Sequence, residues 1–159
     1  MTSFKQIVLH WTAGNYTPCK TDLQHYHYII DKQGKVCTGV YEPKDNLNCY
    51  DGKYAAHCGG GNTGRIGIAI ACRKNIYMPP TKKQIESMCN LAAQLCLTYG
   101  LKPKDCITHA EFGAANPKTS SYGKIDINYI PYEGIAGVKE TGNYLRNKIQ
   151  WYYNKWKGV

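Results

Sequence analysis

Seven consecutive residues, Ile66-Gly67-Ile68-Ala69-Ile70-Ala71-Cys72, carry no polar side chain. The run is far shorter than the roughly 18 apolar residues of a membrane span. Rich in isoleucine and preceded by a glycine-rich loop, it reads as an interior strand covered on both faces, the kind found in sheets flanked by helices. Gln6-Ile7-Val8-Leu9-His10-Trp11, ending at a Gly14-Asn15 turn signal, reads as a second buried strand. Tyr26–Asp31 and Lys35–Tyr41 flank Lys32-Gln33-Gly34 and predict a hairpin. Cys106-Ile107-Thr108-His109 is a further short strand, again with a histidine at its end.

Between these strands the period changes. Thr81 and Gln84 form a capping-box signature, and Ile85, Met88, Cys89, Ala92, Leu95, Cys96 and Tyr99 follow at helical spacing up to Gly100, the expected C-cap. From Thr141 to Trp156, Leu145, Ile149, Tyr152, Tyr153 and Trp156 repeat the pattern. Strands alternating with helices in 159 residues predict a single α/β domain over residues 1–159, a mixed central β-sheet flanked by helices. No internal repeat interrupts it.

Twenty Lys and Arg against eleven Asp and Glu give a net charge of +9, so an anionic partner is expected: nucleic acid, anionic lipid or bacterial cell wall. No nucleic-acid motif or Arg-rich stripe supports the first. Residues 139–159 hold five Lys/Arg and one Glu, interleaved with Trp151, Tyr152, Tyr153 and Trp156. They predict a basic C-terminal helix docked on the sheet, with weak contact to an anionic membrane as the alternative. Gly59-Gly60-Gly61-Asn62-Thr63-Gly64-Arg65 lacks the Gly-Lys-Ser/Thr ending of a phosphate loop. Eight cysteines fall short of the roughly 8–10% that marks a disulfide scaffold, and no C-x-x-C pair occurs. With only Ile7-Val8-Leu9 as an aliphatic run near the start, no signal peptide is expected; synthesis in the cytoplasm and free thiols are.

His10 and His109 close two predicted strands. Either alone is commonly a satisfied polar residue; together they suggest a metal, and catalytic zinc usually takes three protein ligands. In an extended segment Lys124 and Asp126 would share a face, the carboxylate completing a metal site and the ammonium awaiting negative charge. An exposed charge pair in a loop is the competing reading. Cys58, beside His57, is either a ligand or a packed thiol.

Taken in order, Val8-Leu9-His10-Trp11-Thr12-Ala13, Tyr26-His27-Tyr28-Ile29-Ile30 with Gly34 after it, His57 before Ile66-Gly67-Ile68, Thr108-His109-Ala110-Glu111, and Gly123-Lys124-Ile125-Asp126 before Pro131 resemble the zinc-dependent N-acetylmuramoyl-L-alanine amidases. That family shares its fold with peptidoglycan recognition proteins, and the resemblance is strongest to short phage endolysins. It implies His10, His109 and Asp126 as zinc ligands, Lys124 as the assisting lysine and Tyr26 as the tyrosine beside the metal. It implies a groove lined by His57; Asn62 is expected to bind substrate there, and the Gly59–Gly64 loop reads as a flexible rim. Members that place a glutamate after the Ile-Gly-Ile pattern differ here, since this chain has Ala69. His27, adjacent to Tyr26, should face away and pack. The segment between His10 and Tyr26 is short, so the helix usual there is expected to shrink to a turn. The implied reaction is hydrolysis of the bond between N-acetylmuramic acid and L-alanine in peptidoglycan, by a monomer acting on the wall after release. A recognition module that binds muropeptides without cutting is the alternative.

Overall fold

The computed structural model describes residues 3–159. Strands β1 (Gln6–Trp11), β2 (Tyr28–Ile30), β3 (Val36–Thr38), β4 (Arg65–Ile70) and β5 (Cys106–Thr108) form one sheet in the order β3-β2-β4-β1-β5. All neighbours are parallel except the hairpin pair β2 and β3. The two apolar runs lie side by side in the middle, Gln6 opposite Arg65 through Trp11 opposite Ile70.

Alternation along these central strands sets the two faces. Ile7, Leu9 and Trp11 of β1 and Ile66, Ile68 and Ile70 of β4 join the main core. There α2 (Lys82–Tyr99) and α4 (Val138–Lys157) cover them with Ile85, Met88, Cys89, Cys96, Leu145 and Ile149. Each fully buried aliphatic side chain contributes roughly 1.5–3 kcal/mol. On the opposite face Val8 packs with Cys58 and Phe112.

Helix α2 forms as its sequence predicts. Thr81 Oγ1 accepts from the Gln84 N–H at 3.2 Å, Gln84 Oε1 accepts from the Thr81 N–H at 3.1 Å, and Gly100 closes the helix at φ +72°. The buried Gln84 amide also donates to Ala71 O at 2.8 Å, fastening α2 to the end of β4. Helix α4 begins three residues earlier than its apolar spacing suggests, after Gly137 at φ +112°. It docks through Leu145 and Ile149, while Trp151 and Trp156 stay 55% exposed beside its lysines.

Two further helices depart from the sequence reading. α1 (Lys20–His25) is a real six-residue helix rather than a turn, with Asp22 accepting from the Cys19 N–H at 3.0 Å. α3 (His109–Ala115) starts where β5 was expected to continue, because Thr108 caps it: Thr108 Oγ1 accepts from the Glu111 N–H at 3.1 Å and Glu111 Oε1 from the Thr108 N–H at 3.0 Å. A two-stranded pair, β6 (Tyr129–Ile130) and β7 (Ile135–Ala136), precedes α4. All eight cysteines are free thiols, Cys89 and Cys96 fully buried in the core. Among the described residues no helix is long and apolar enough to cross a membrane.

Candidate metal centre

The Ile-Gly-Ile-Ala-Ile pattern of β4 puts bulk on the helix face and almost none on the other. A Cβ at Gly67 would lie 2.5 Å from the His57 ring, so glycine is required for His57 to lie flat against the strand. Ala69 stands opposite His10 in the neighbouring strand and leaves it room. A layer of buried histidines, His10, His27 and His57, fills the space so created.

Hydrogen bonds fix which nitrogen of each ring is bare. The Arg65 carbonyl can only accept, so at 3.1 Å it takes the His57 Nε2 proton. Burial, reinforced by the neighbouring histidines, holds His57 well below the usual histidine range, so the ring is neutral and its Nδ1 is an acceptor. That atom lies 2.9 Å from His10 Nε2, which therefore donates and leaves His10 Nδ1 with a free lone pair. Ser121 works likewise on the other histidine. Its hydroxyl donates to Gly59 O at 2.8 Å and so accepts from His109 Nε2 at 2.9 Å, leaving His109 Nδ1 bare.

These two bare nitrogens face each other at 3.2 Å. Asp126 reaches both, Oδ2 at 3.1 Å from His10 Nδ1 and Oδ1 at 3.4 Å from His109 Nδ1. Electron-rich atoms brought this close call for a cation among them. Burial opposes a charge on His109, but the Asp126 carboxylate, helped by Cys58, outweighs burial and lifts it to about 9. Burial would likewise raise Asp126, yet the two imidazoles hold its carboxyl far below the ordinary range. Burial dominates at His10 and lowers it. Two imidazole nitrogens and one carboxylate oxygen, all within 4.8 Å of one another, fit the three-ligand set of catalytic zinc.

One side of the cluster opens into a depression of about 420 Å³ lined by Trp11, Thr12, Tyr26 and Lys124 together with His109 and Asp126. The Tyr26 ring sits 5.1 Å from the His10 ring. Burial first, then the charges of Asp126 and Asp22, push its phenol well above the usual tyrosine value, so it remains a proton donor. Lys124 is exposed on the rim. Lys124 and Asp126 reach this common space from a loop and not from the extended strand expected. Ala69 confirms that no carboxylate stands opposite His10 on β4.

His57 and Asn62 sit elsewhere than the sequence reading expects. His57 does not line this depression; it is 5% exposed and lies behind His10. Asn62 also lies outside the depression. Its Oδ1 accepts from the His57 and Cys58 N–H groups at 2.9 and 2.8 Å, and it borders a separate hollow with Lys5, Tyr54 and Arg65. In the glycine loop Gly59, Gly60 and Gly61 pack against Ser120, Thr119 and Phe112, and Gly60 and Gly61 border the same separate hollow as Asn62. His27 faces away from the depression, its Nε2 on Asn46 Oδ1 at 2.8 Å and its Nδ1 accepting from the Gly67 N–H at 2.9 Å. Ser121 and Asn46 went unnoticed in the sequence, where nothing distinguishes them from other polar loop residues.

The sequence profile of the N-acetylmuramoyl-L-alanine amidase family matches residues 1–124. No curated protein matches the chain. Among solved structures it is similar to the hydrolase AmiA of Staphylococcus aureus (TM-score 0.61, 18% identity, 99% of this chain and 76% of that one). It is also similar to the N-acetylmuramoyl-L-alanine amidase LysC of Clostridium intestinale (0.51, 21%, 69% and 72%). A third similar structure is the Drosophila peptidoglycan recognition protein SD (0.51, 22%, 76% and 76%). At these identities the structural likenesses establish a shared fold.

Proposed function

The chain belongs to the N-acetylmuramoyl-L-alanine amidase family, and from that premise we propose that it hydrolyses the amide between the lactyl group of N-acetylmuramic acid and L-alanine in peptidoglycan, using zinc held by His10, His109 and Asp126. The observation that carries the reading is the convergence of two bare imidazole nitrogens and one carboxylate beside an open depression that His109 and Asp126 line.

Zinc, when bound, supplies Lewis acidity toward the carbonyl and a water whose pKa falls from about 15.7 towards about 7. The chain's own residues do the rest. His57 and Ser121 hydrogen-bond the far nitrogens of the two ligand rings and fix their orientation. Lys124 brings a positive charge to the rim, where an oxyanion developing on the scissile carbonyl is stabilised. Tyr26, held as a phenol, donates a hydrogen bond that orients the attacking water and serves the proton the leaving amine needs. Water is consumed, its hydroxyl joining the lactyl carbonyl and its protons ending on the L-alanine amine and in solvent.

The net charge of +9 favours approach to an anionic wall. A role as a phage or prophage endolysin, monomeric and acting after release from the cytoplasm, fits this reading. The similarity to a peptidoglycan recognition protein favours a second reading, a silent binding module; the intact donor set with Lys124 and Tyr26 beside it argues for catalysis. Digestion of purified sacculi with zinc-loaded protein, followed by mass spectrometry of the fragments, separates the two. New L-alanine amino termini support the amidase, and muropeptide binding without them supports the module.

A further inference from the structure

We propose that His57 is a positioning residue of the metal centre, selecting the His10 tautomer that can bind metal. The inference rests on the zinc reading above and concerns a residue that touches neither substrate nor metal. A neutral imidazole carries its proton on one of two nitrogens, and the surroundings of His10 pull in opposite directions. Asp126 Oδ2, 3.1 Å from Nδ1, attracts the proton to the side where metal must bind. His57 Nδ1, 2.9 Å from Nε2, attracts it to the far side. His57 can accept there because the Arg65 carbonyl holds its own proton at Nε2, 3.1 Å away. His10 thus donates to His57 and His57 to the Arg65 carbonyl, a one-way chain that leaves His10 Nδ1 bare.

The packing fixes the direction of this chain. The His57 ring stands at 89° to the His10 ring with centroids 5.1 Å apart, and its Nδ1 comes within 2.9 Å of His10 Nε2. Gly67 supports it from the sheet, where any Cβ would overlap the ring. The His57 backbone N–H is held by Asn62 Oδ1 at 2.9 Å. Metal-bound histidines generally rely on an acceptor at their second nitrogen, and losing it typically weakens metal binding 10–100-fold. Here the loss is compounded, because Asp126 remains to draw the proton onto Nδ1.

The test uses the full chain, stripped of metal, with zinc affinity measured by competition against a chromophoric chelator for wild type, His57→Leu and His57→Gln. Leucine removes the acceptor; the glutamine amide restores an acceptor oxygen and a donor for Arg65. His57→Leu should bind zinc about 10–100-fold more weakly, and His57→Gln should recover to within a few-fold of wild type. Nitrogen-15 spectra of the metal-free proteins should show His10 protonated at Nε2 in wild type and at Nδ1 in His57→Leu. Equal zinc affinity in folded His57→Leu and wild type would overturn the relay while leaving the zinc site intact. A wild-type chain that takes up no zinc overturns the metal reading itself. If His57→Leu does not fold, the metal-free wild type decides, and an Nδ1 proton on His10 there contradicts the proposal.

Discussion

The guanidinium of Arg146 grips both carboxylate oxygens of Glu111, at 2.7 and 2.8 Å, and so ties α4 to the first turn of α3, which begins at the metal-ligand candidate His109. Glu111 Oε1 also accepts the Thr108 N–H of the α3 cap, so one carboxylate serves both the helix start and the helix pair. The C-terminal helix, beyond the residues matched by the family profile, therefore braces the site from behind.

Arg146→Ala should accordingly lower stability by about 1.5–3 kcal/mol, the range for hydrogen bonds to charged groups. Zinc affinity should fall as well, because His109 loses part of its support. Urea unfolding and chelator competition check the two effects; a change in neither would mean that α4 contributes nothing to the site.

Lys124→Ala and Tyr26→Phe should leave zinc content and thermal stability near wild type, since neither is a ligand. Turnover on muropeptide should drop roughly 10²–10³-fold for Lys124→Ala, as for other single donors aimed at an oxyanion. Tyr26→Phe should cost less. Steady-state kinetics with parallel metal analysis reads both, and a loss of zinc in either variant would reassign that residue to metal binding.

Acid should destabilise the fold through its buried histidines. His27, fully buried, is lowered from 6.5 to about 4 chiefly by burial, and His10 and His57 move the same way. Below pH 6.5 the unfolded chain takes up a proton that folded His27 refuses until about pH 4. Stability is therefore untouched by His27 above 6.5, falls as pH drops through that window, and levels off below it. Its share is on the order of 3 kcal/mol. Unfolding free energies at pH 7.5 and 4.5 should differ less in His27→Gln than in wild type; equal differences would show that His27 charges freely in the fold.

Much of this was legible in the residues. The Ile66–Cys72 run found its place as a central strand because only a doubly covered strand tolerates it. The Thr81 and Gln84 box fixed the start of α2. Helix α3 was equally readable, since Thr108 and Glu111 have the same spacing, but the apolar Cys106–Thr108 run drew His109 into the strand. The positions of His57 and Asn62 were not readable. Which side of a loop residue meets His10 depends on the hollow left by Gly67 and on the Asn62 clamp, and both are tertiary contacts. Lys124 and Asp126 reached one depression although the strand argument for their shared face does not hold, their loop doing what the strand would have done.

The most direct test of the account is a titration of metal-free protein with zinc while following the release of L-alanine amino termini from sacculi. Activity should rise in proportion to added zinc and reach a plateau at one equivalent per chain, while Asp126→Ala stays inactive at that stoichiometry. Full activity in the metal-free protein, or an Asp126→Ala variant that titrates like wild type, would contradict the assignment of His10, His109 and Asp126 as the metal centre of an amidase.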